Sequence, residues 1–335
     1  MGRTEDDVMQ NSMLNHPDRG DIKLAVFLEP RITPRNPEVT AGSITAETNY
    51  LCDNYFNHPG YFSIDGKPVI FIYVTRAMND ADLTLLISTI RTAASNKGIG
   101  DVYIVGDEVW KDNIDSKTAR VNQMDAITNY DVYGNLGKAR FVTDTILDTW
   151  QANNNLWKSL SDSLGKQFIP AVSPGFNDKA VREGNQPSSR KLNNEDNAFG
   201  TLFSGMLNRI TDDMNMLMVT SFNEWHEDTQ IEPVSVAPPT NLDDGAGYYT
   251  DGLYYSGYGM LYLDILTRCP TVPCPLGKEC QLPPCNTCGQ CSTEADCATA
   301  GCTWSGGVPA CAQGGTCNTC DNQDDVSRQL VRMLI

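Results

Sequence analysis

Six short runs of β-branched and apolar residues, separated by longer amphipathic stretches, set the tightest limit on the fold of this chain. The runs are Ile22–Leu28, Val69–Val74, Val102–Gly106, Asp125–Asn129, Phe168–Val172 and Met216–Phe222. Each is nearly continuous in apolar character, as strands covered on both faces are. The intervening patterns predict helices over Thr40–Asn57, Asn79–Lys97, Thr143–Leu164 and Asn197–Met214, and a further one over Tyr254–Thr267. In the second of these, Leu83, Leu86, Ile87 and Ile90 recur at spacings of three and four, which makes one apolar stripe. Strand–helix alternation of this kind implies an α/β fold with a parallel sheet.

Several runs end in polar or aromatic residues: Glu29-Pro30, Asp107-Glu108, Asn129-Tyr130-Asp131, and Asn223 to Glu227. Chemistry gathers at C-terminal strand ends in α/β barrels and open α/β sheets alike. No Gly-rich phosphate loop follows any run, which disfavours a nucleotide site and favours a barrel. The expectation is therefore a (β/α)8 barrel of the TIM type over residues 1–268, incomplete, with about six βα units and the first two missing.

Asp plus Glu outnumber Lys plus Arg by 42 to 25, for a net charge of −17. That argues against nucleic acid as a partner, because phosphate binding needs a basic face. A neutral ligand such as an oligosaccharide or polysaccharide fits. The three His residues, His16, His58 and His226, lie far apart in sequence, so no His-rich metal site is expected. His58 sits in a turn-like NHPGY and His16 in a polar loop. No apolar run approaches the ~20 residues of a membrane span, and the acidic start MGRTEDDVMQ is not a signal peptide.

Cysteine divides the chain. Of twelve Cys, Cys52 stands alone and the rest fall between Cys269 and Cys320. Residues 269–335 read as a separate Cys-rich module and tail. Such density implies disulfides and the secretory pathway, Golgi or extracellular. An all-Cys zinc site is the alternative, from the two-residue spacings at Cys285–Cys288–Cys291 and Cys317–Cys320. Eleven is odd, so one thiol stays free, reaches Cys52 or pairs between chains. The module reads as a stapled spacer or as a glycan- or protein-binding unit.

The densest chemistry is SFNEWHEDTQIEP, Ser221–Pro233, directly after the last apolar run. Glu224 and Glu227 diverge on a continuing strand and converge if the chain turns. Two carboxylates in unlike surroundings equip a site for glycoside cleavage: one stays ionised, the other donates a proton. Trp225 offers an apolar face for a sugar ring; Asn223 and His226 offer hydrogen bonds. The competing reading is a solvated acidic loop with one buried Trp. Glu29, Tyr73 and Tyr130 are further candidates for substrate contact, against ion pairing or packing. Asp107 and Glu108 either line the pocket or cap the next helix.

This motif resembles that of glycoside hydrolase family 99, the endo-α-mannosidases and endo-α-mannanases. IKLAVFLEP with HPGYFSIDGKPVIFIY, MDAITNYDVYG, and AVSPGFNDKAVREGN resemble further stretches of the family in the same order, covering about residues 20–267. The resemblance implies a (β/α)8 barrel and retaining cleavage within α-mannoside chains, with no metal, nucleotide or organic cofactor. It implies that Glu224 acts as base on the sugar's own 2-hydroxyl, forming a 1,2-anhydro sugar. Glu227 then acts as acid/base. Arg182 and Asn185 carry over as substrate-binding residues. Asp228 stands where the family has Gly, and Glu183-Gly184 stands for Pro-Trp. The rival functions are a non-catalytic carbohydrate-binding protein on the same fold and a glycosyltransferase-related polysaccharide enzyme. The chain itself, lacking the first units, is expected to be capable of inactivity even where the complete product works.

Overall fold

The computed structural model describes residues 6–30, 40–111, 114–139, 142–178, 182, 199–210, 214, 216–235 and 258–268, with strand segments 303–305, 308–310 and 331–334. The strands are β1 (Val26–Leu28), β2 (Ser63–Ile64), β3 (Lys67–Ile72), β4 (Tyr103–Asp107), β5 (Ala126–Thr128), β6 (Gln167–Phe168), β7 (Ala171–Val172) and β8 (Met216–Val219). Beyond them lie β9 (Thr303–Ser305), β10 (Val308–Ala310) and β11 (Val331–Leu334). The main helices are α1 (Ala41–Asn54), α2 (Asp80–Asn96), α3 (Asp144–Ser163), α4 (Thr201–Leu207) and α5 (Leu261–Arg268).

Strands β1, β3, β4, β5 and β6 pair in that order, all parallel. A second parallel ladder runs β7, β8, β11. The expected run Phe168–Val172 is thus one strand path divided between two partners. Its reason is Pro170, which has no N–H to give a ladder. Ile169 N–H still donates to Ile127 O at 2.9 Å, while Pro170 O accepts from Met218 N–H at 2.9 Å, and the strand changes neighbours there. All six expected strands are present. The first is shorter than expected: it begins at Val26, with only a bridge from Leu24 to Tyr61 before it.

Pleating sorts the core. Val69, Phe71 and Val105 face one apolar cluster with Ile169 and Phe203. Ile70, Ile72 and Ile104 face the other, against Leu83, Leu86 and Ile90 of α2. Side-chain caps fix the two long helices. Asn79 accepts from Asp82 N–H at 2.9 Å, and Thr143 from Ile146 N–H at 3.4 Å, so each starts where the pattern predicted. The expected helix Asn197–Met214 is shorter, Thr201–Leu207. Gly200, at φ +83°, turns the chain into it, and a Cβ there would lie 2.6 Å from Ile265 Cδ1.

Cys52 is a buried free thiol on α1. The other cysteines lie outside the described residues; the antiparallel pair β9–β10 and strand β11 lie in the same part of the chain. Among the described residues no helix is long and apolar enough to cross a membrane, and no His, Cys, Asp and Glu group forms a metal-binding cluster.

Candidate active site

The C-terminal ends of β3, β5, β7 and β8 surround a cavity of about 440 Å³. Tyr73, one residue past β3, and Tyr130, past β5, form one wall; their ring centroids lie 5.2 Å apart at 85°. Phe27 of β1 packs behind both, at 5.7 and 5.4 Å. The opposite wall is Tyr133 stacked on Phe176, with centroids 4.7 Å apart at 13°. Ser173, Thr220 and Thr229 add hydroxyls, and Thr220 Oγ1 is buried without a protein partner. Lys138, Asp178, Arg182 and Glu227 supply charge.

A single buried carboxylate aligns the tyrosine wall. Asp107, the last residue of β4, is fully buried. Its Oδ2 accepts from Val74 N–H at 3.0 Å and its Oδ1 from Tyr130 N–H at 3.0 Å. Val74 has φ +51°, a costly conformation for a β-branched residue, held here by that bond. Arg76 neutralises Asp107 at 2.5 Å and lies 4.6 Å over the Trp110 ring. Glu108 points to the other side. It takes a two-point ion pair from Arg120, at 2.6 and 3.1 Å, with both residues buried. Neither acid lines the cavity or caps a helix. Asp107 positions the site and Glu108 supports the fold.

After β8 the chain turns, and it does so on side-chain bonds. Ser221 Oγ accepts from Glu224 N–H at 2.9 Å, and the Glu224 carboxylate accepts from His226 N–H at 3.0 Å, which caps a single helical turn over Trp225–Glu227. The turn closes at Asp228, φ +53°. The left-handed backbone explains why Gly suits this position and why Asp, which tolerates it, is accepted.

The two glutamates occupy unlike surroundings. Glu227 is half-buried and lines the cavity; burial pushes its carboxyl up, the Arg182 ion pair opposes this, and the charges of Glu224 and Asp178 add to it. Glu224 lies on the rim, more exposed, 3.3 Å from His226 Nδ1, and is not a lining residue. Its charge nevertheless reaches the cavity. Tyr130 is held far above the usual phenol range by burial first and then by Glu227, Glu224 and Glu29. Tyr73 is raised by burial and by the charges of Asp107 and Glu227.

The other sequence candidates distribute as follows. Arg182 reaches Glu227 at 2.9 Å and Asp178 at 2.7 Å. Trp225 is exposed at the rim, with Nε1–H donating to Glu232 at 2.9 Å, so the expectation of a buried Trp in an acidic loop fails. Asn223, His226 and Glu29 are exposed. Asn185 lies outside the described residues. His58 is the turn residue expected, its Nδ1 accepting from Gly60 N–H at 2.9 Å. Sequence reasoning missed Asp178, Lys138, Tyr133 and Phe176. The one signal for Tyr133, Phe176 and Asp178 was their place just past strand ends, in NYDVYG and SPGFND; Lys138 lies in neither stretch.

Residues 4–259 match the model described as Glycosyl hydrolase family 99. The chain is similar to the glycoprotein endo-alpha-1,2-mannosidase of Rattus norvegicus, 24% identical over 239 residues, covering 68% of this chain and 46% of that protein. The Mus musculus protein of the same name is 26% identical over 233 residues, with 66% and 45% covered. The chain thus spans about half the length of the curated relatives it matches. Its fold is that of the family 99 endo-alpha-mannosidase structure from Bacteroides thetaiotaomicron, with TM-score 0.52 and 23% identity over 74% of this chain and 66% of that one.

Proposed function

Since the chain belongs to glycosyl hydrolase family 99, we propose that it acts as a retaining endo-acting glycoside hydrolase on α-mannosidic linkages of an oligosaccharide or polysaccharide. The observation that carries this reading is the contrast between Glu227 and Glu224. Glu227 sits half-buried against an aromatic-walled cavity that raises its carboxyl, the condition a proton donor needs at neutral pH. Glu224, three residues earlier, is kept in a polar, hydrogen-bonded rim, the condition a base needs.

The chemistry follows from these places. Glu224 takes the proton of the sugar's 2-hydroxyl as that oxygen attacks its own anomeric carbon. Glu227 gives its proton to the departing glycosidic oxygen. The product of this step is a 1,2-anhydro sugar; water, giving a proton to Glu227, then attacks the anomeric carbon while Glu224 returns its proton to the 2-oxygen, with overall retention. A nucleophile built into the substrate gains from proximity. The Tyr73–Tyr130 wall, Trp225 at the rim, and the hydroxyls of Thr220 and Ser173 suit a neutral sugar, which presents both apolar faces and hydroxyls. Asn223, His226, Glu29, Arg182 and Asn185 complete the proposed set of substrate contacts. We read the six strand positions β1, β3, β4, β5, β6–β7 and β8 as six units of a (β/α)8 barrel. The cysteine density between Cys269 and Cys320 supports the secretory pathway for the full-length protein.

The test is hydrolysis of α-mannan and of a glucosylated mannose oligosaccharide by the full-length protein. Glu224→Gln and Glu227→Gln are each expected to lower kcat at least ~100-fold; parental rates in either would remove its assigned role. One observation favours a second reading, mannoside binding without turnover: Arg182 contacts Glu227 and favours its ionised form, which has no proton to give. Calorimetry showing mannoside binding with no product would select it.

A further inference from the structure

Beside the sugar contact proposed for it, Arg182 makes two bonds to protein carboxylates. A single nitrogen, Nη1, serves two acceptors, Asp178 Oδ2 at 2.7 Å and Glu227 Oε1 at 2.9 Å. The acceptors differ in depth: the Asp178 side chain is 1% exposed, that of Glu227 18%, and that of Arg182 56%. The main chain ties Arg182 to the deeper one, with Arg182 N–H donating to Asp178 O at 2.8 Å. We propose that Arg182 is a positioning residue that divides its charge between Asp178 and Glu227, and so sets when Glu227 carries the proton it donates. This rests on the reading of Glu227 as acid/base.

The arrangement has a physical logic. A lone arginine paired only with Glu227 would be left uncompensated each time Glu227 became neutral, which is costly at a partly buried site. With Asp178 at its other side, Arg182 keeps a partner in both protonation states. A lone Asp178 beside Glu227 would in turn repel every negative charge placed there. The pair together tempers the upward push of burial on Glu227, which stays able to take a proton from solvent and pass it to the leaving oxygen.

Among the described residues, the groups that act most on Glu227 after burial are Arg182, Glu224 and Asp178. On its own turn Glu227 feels Glu224, and across the cavity Tyr73 and Tyr130. Among the lining residues Arg182 and Lys138 are the cations, and of these Arg182 is the one bonded to Glu227.

The experiment is a pH titration of the full chain labelled with ¹³C-carboxyl glutamate, the Glu227 signal being the one lost in Glu227→Gln. Arg182→Met is expected to move the Glu227 midpoint up by about one pH unit, the low end for loss of a neighbouring opposite charge, because Arg182 is half exposed. Asp178→Asn is expected to move it down, since a like charge leaves and Arg182 falls wholly to Glu227. Arg182→Lys should restore most of the parental midpoint. Opposite signs are what a loosened loop would not produce. An unmoved midpoint in Arg182→Met, or shifts of one sign in both variants, overturns the proposal. Parental activity in Glu227→Gln would instead overturn the acid/base reading and leave the titration result standing.

Discussion

Two residues of the turn after β8 each carry a cost in stability. Burial raises the Glu227 carboxyl, so the folded state holds its proton more tightly than the unfolded chain does. The sign follows by linkage: Glu227 contributes favourably at low pH, and that contribution fades as pH climbs past the unfolded carboxyl value of about 4.3 toward the raised folded one. Glu227→Gln, which cannot titrate, is therefore expected to melt higher than the parent at pH 7, with the gap closing by pH 4; equal gaps at both pH values in calorimetry would refute this. Asp228 carries the second cost, a left-handed backbone at φ +53°. Asp228→Gly should stay within about 1 kcal/mol of the parent, while Asp228→Val should lose about 1–2 kcal/mol by urea unfolding. A Val variant as stable as the parent would show that the turn is not held in this conformation. At this scale the sequence was informative for Glu224 and Glu227, because a run of acids directly past an apolar strand is local. Asp178 and Phe176 were marked only by their place just past a strand end; their contacts with Arg182 and Tyr133 are not given by local spacing.

At the level of elements, legibility followed how local the cause was. Asn79 and Thr143 cap their own helices three residues downstream, so α2 and α3 began where the pattern placed them. The division of Phe168–Val172 was hidden, because an apolar run does not say which neighbour each residue pairs with; Pro170 was visible, its effect on two different ladders was not. Asp107 and Glu108 were misjudged for the same reason. Adjacent on the chain, they point to opposite sides of β4's end, one toward the tyrosine junctions and one toward Arg120. Arg120 also serves as the bolt between the turn after β3 and the end of β4, giving its N–H groups to Met78 O, Thr75 O and Glu108. Glu108→Ala leaves that guanidinium buried without its main counterion. The expected loss is about 3–5 kcal/mol, read as a lowered urea midpoint; a loss under about 1 kcal/mol would mean that Asp80 and the carbonyls suffice.

For the molecule as a whole, the two ladders meet at one covalent joint, Ile169–Pro170, and the cavity straddles it. Tyr73 and Tyr130 stand on the ladder of β1 to β6; Asp178, Arg182 and Glu227 stand on the ladder of β7, β8 and β11. Amide exchange is expected to divide along that joint, with Ile70, Ile104 and Ile127 protected as one set and Met218 and Thr220 as another of different opening energy. Uniform protection across both would deny the division. Tyr133 and Phe176, which stack face to face, stand one on each ladder, so the seam between the ladders is clasped by aromatic contact at the cavity itself.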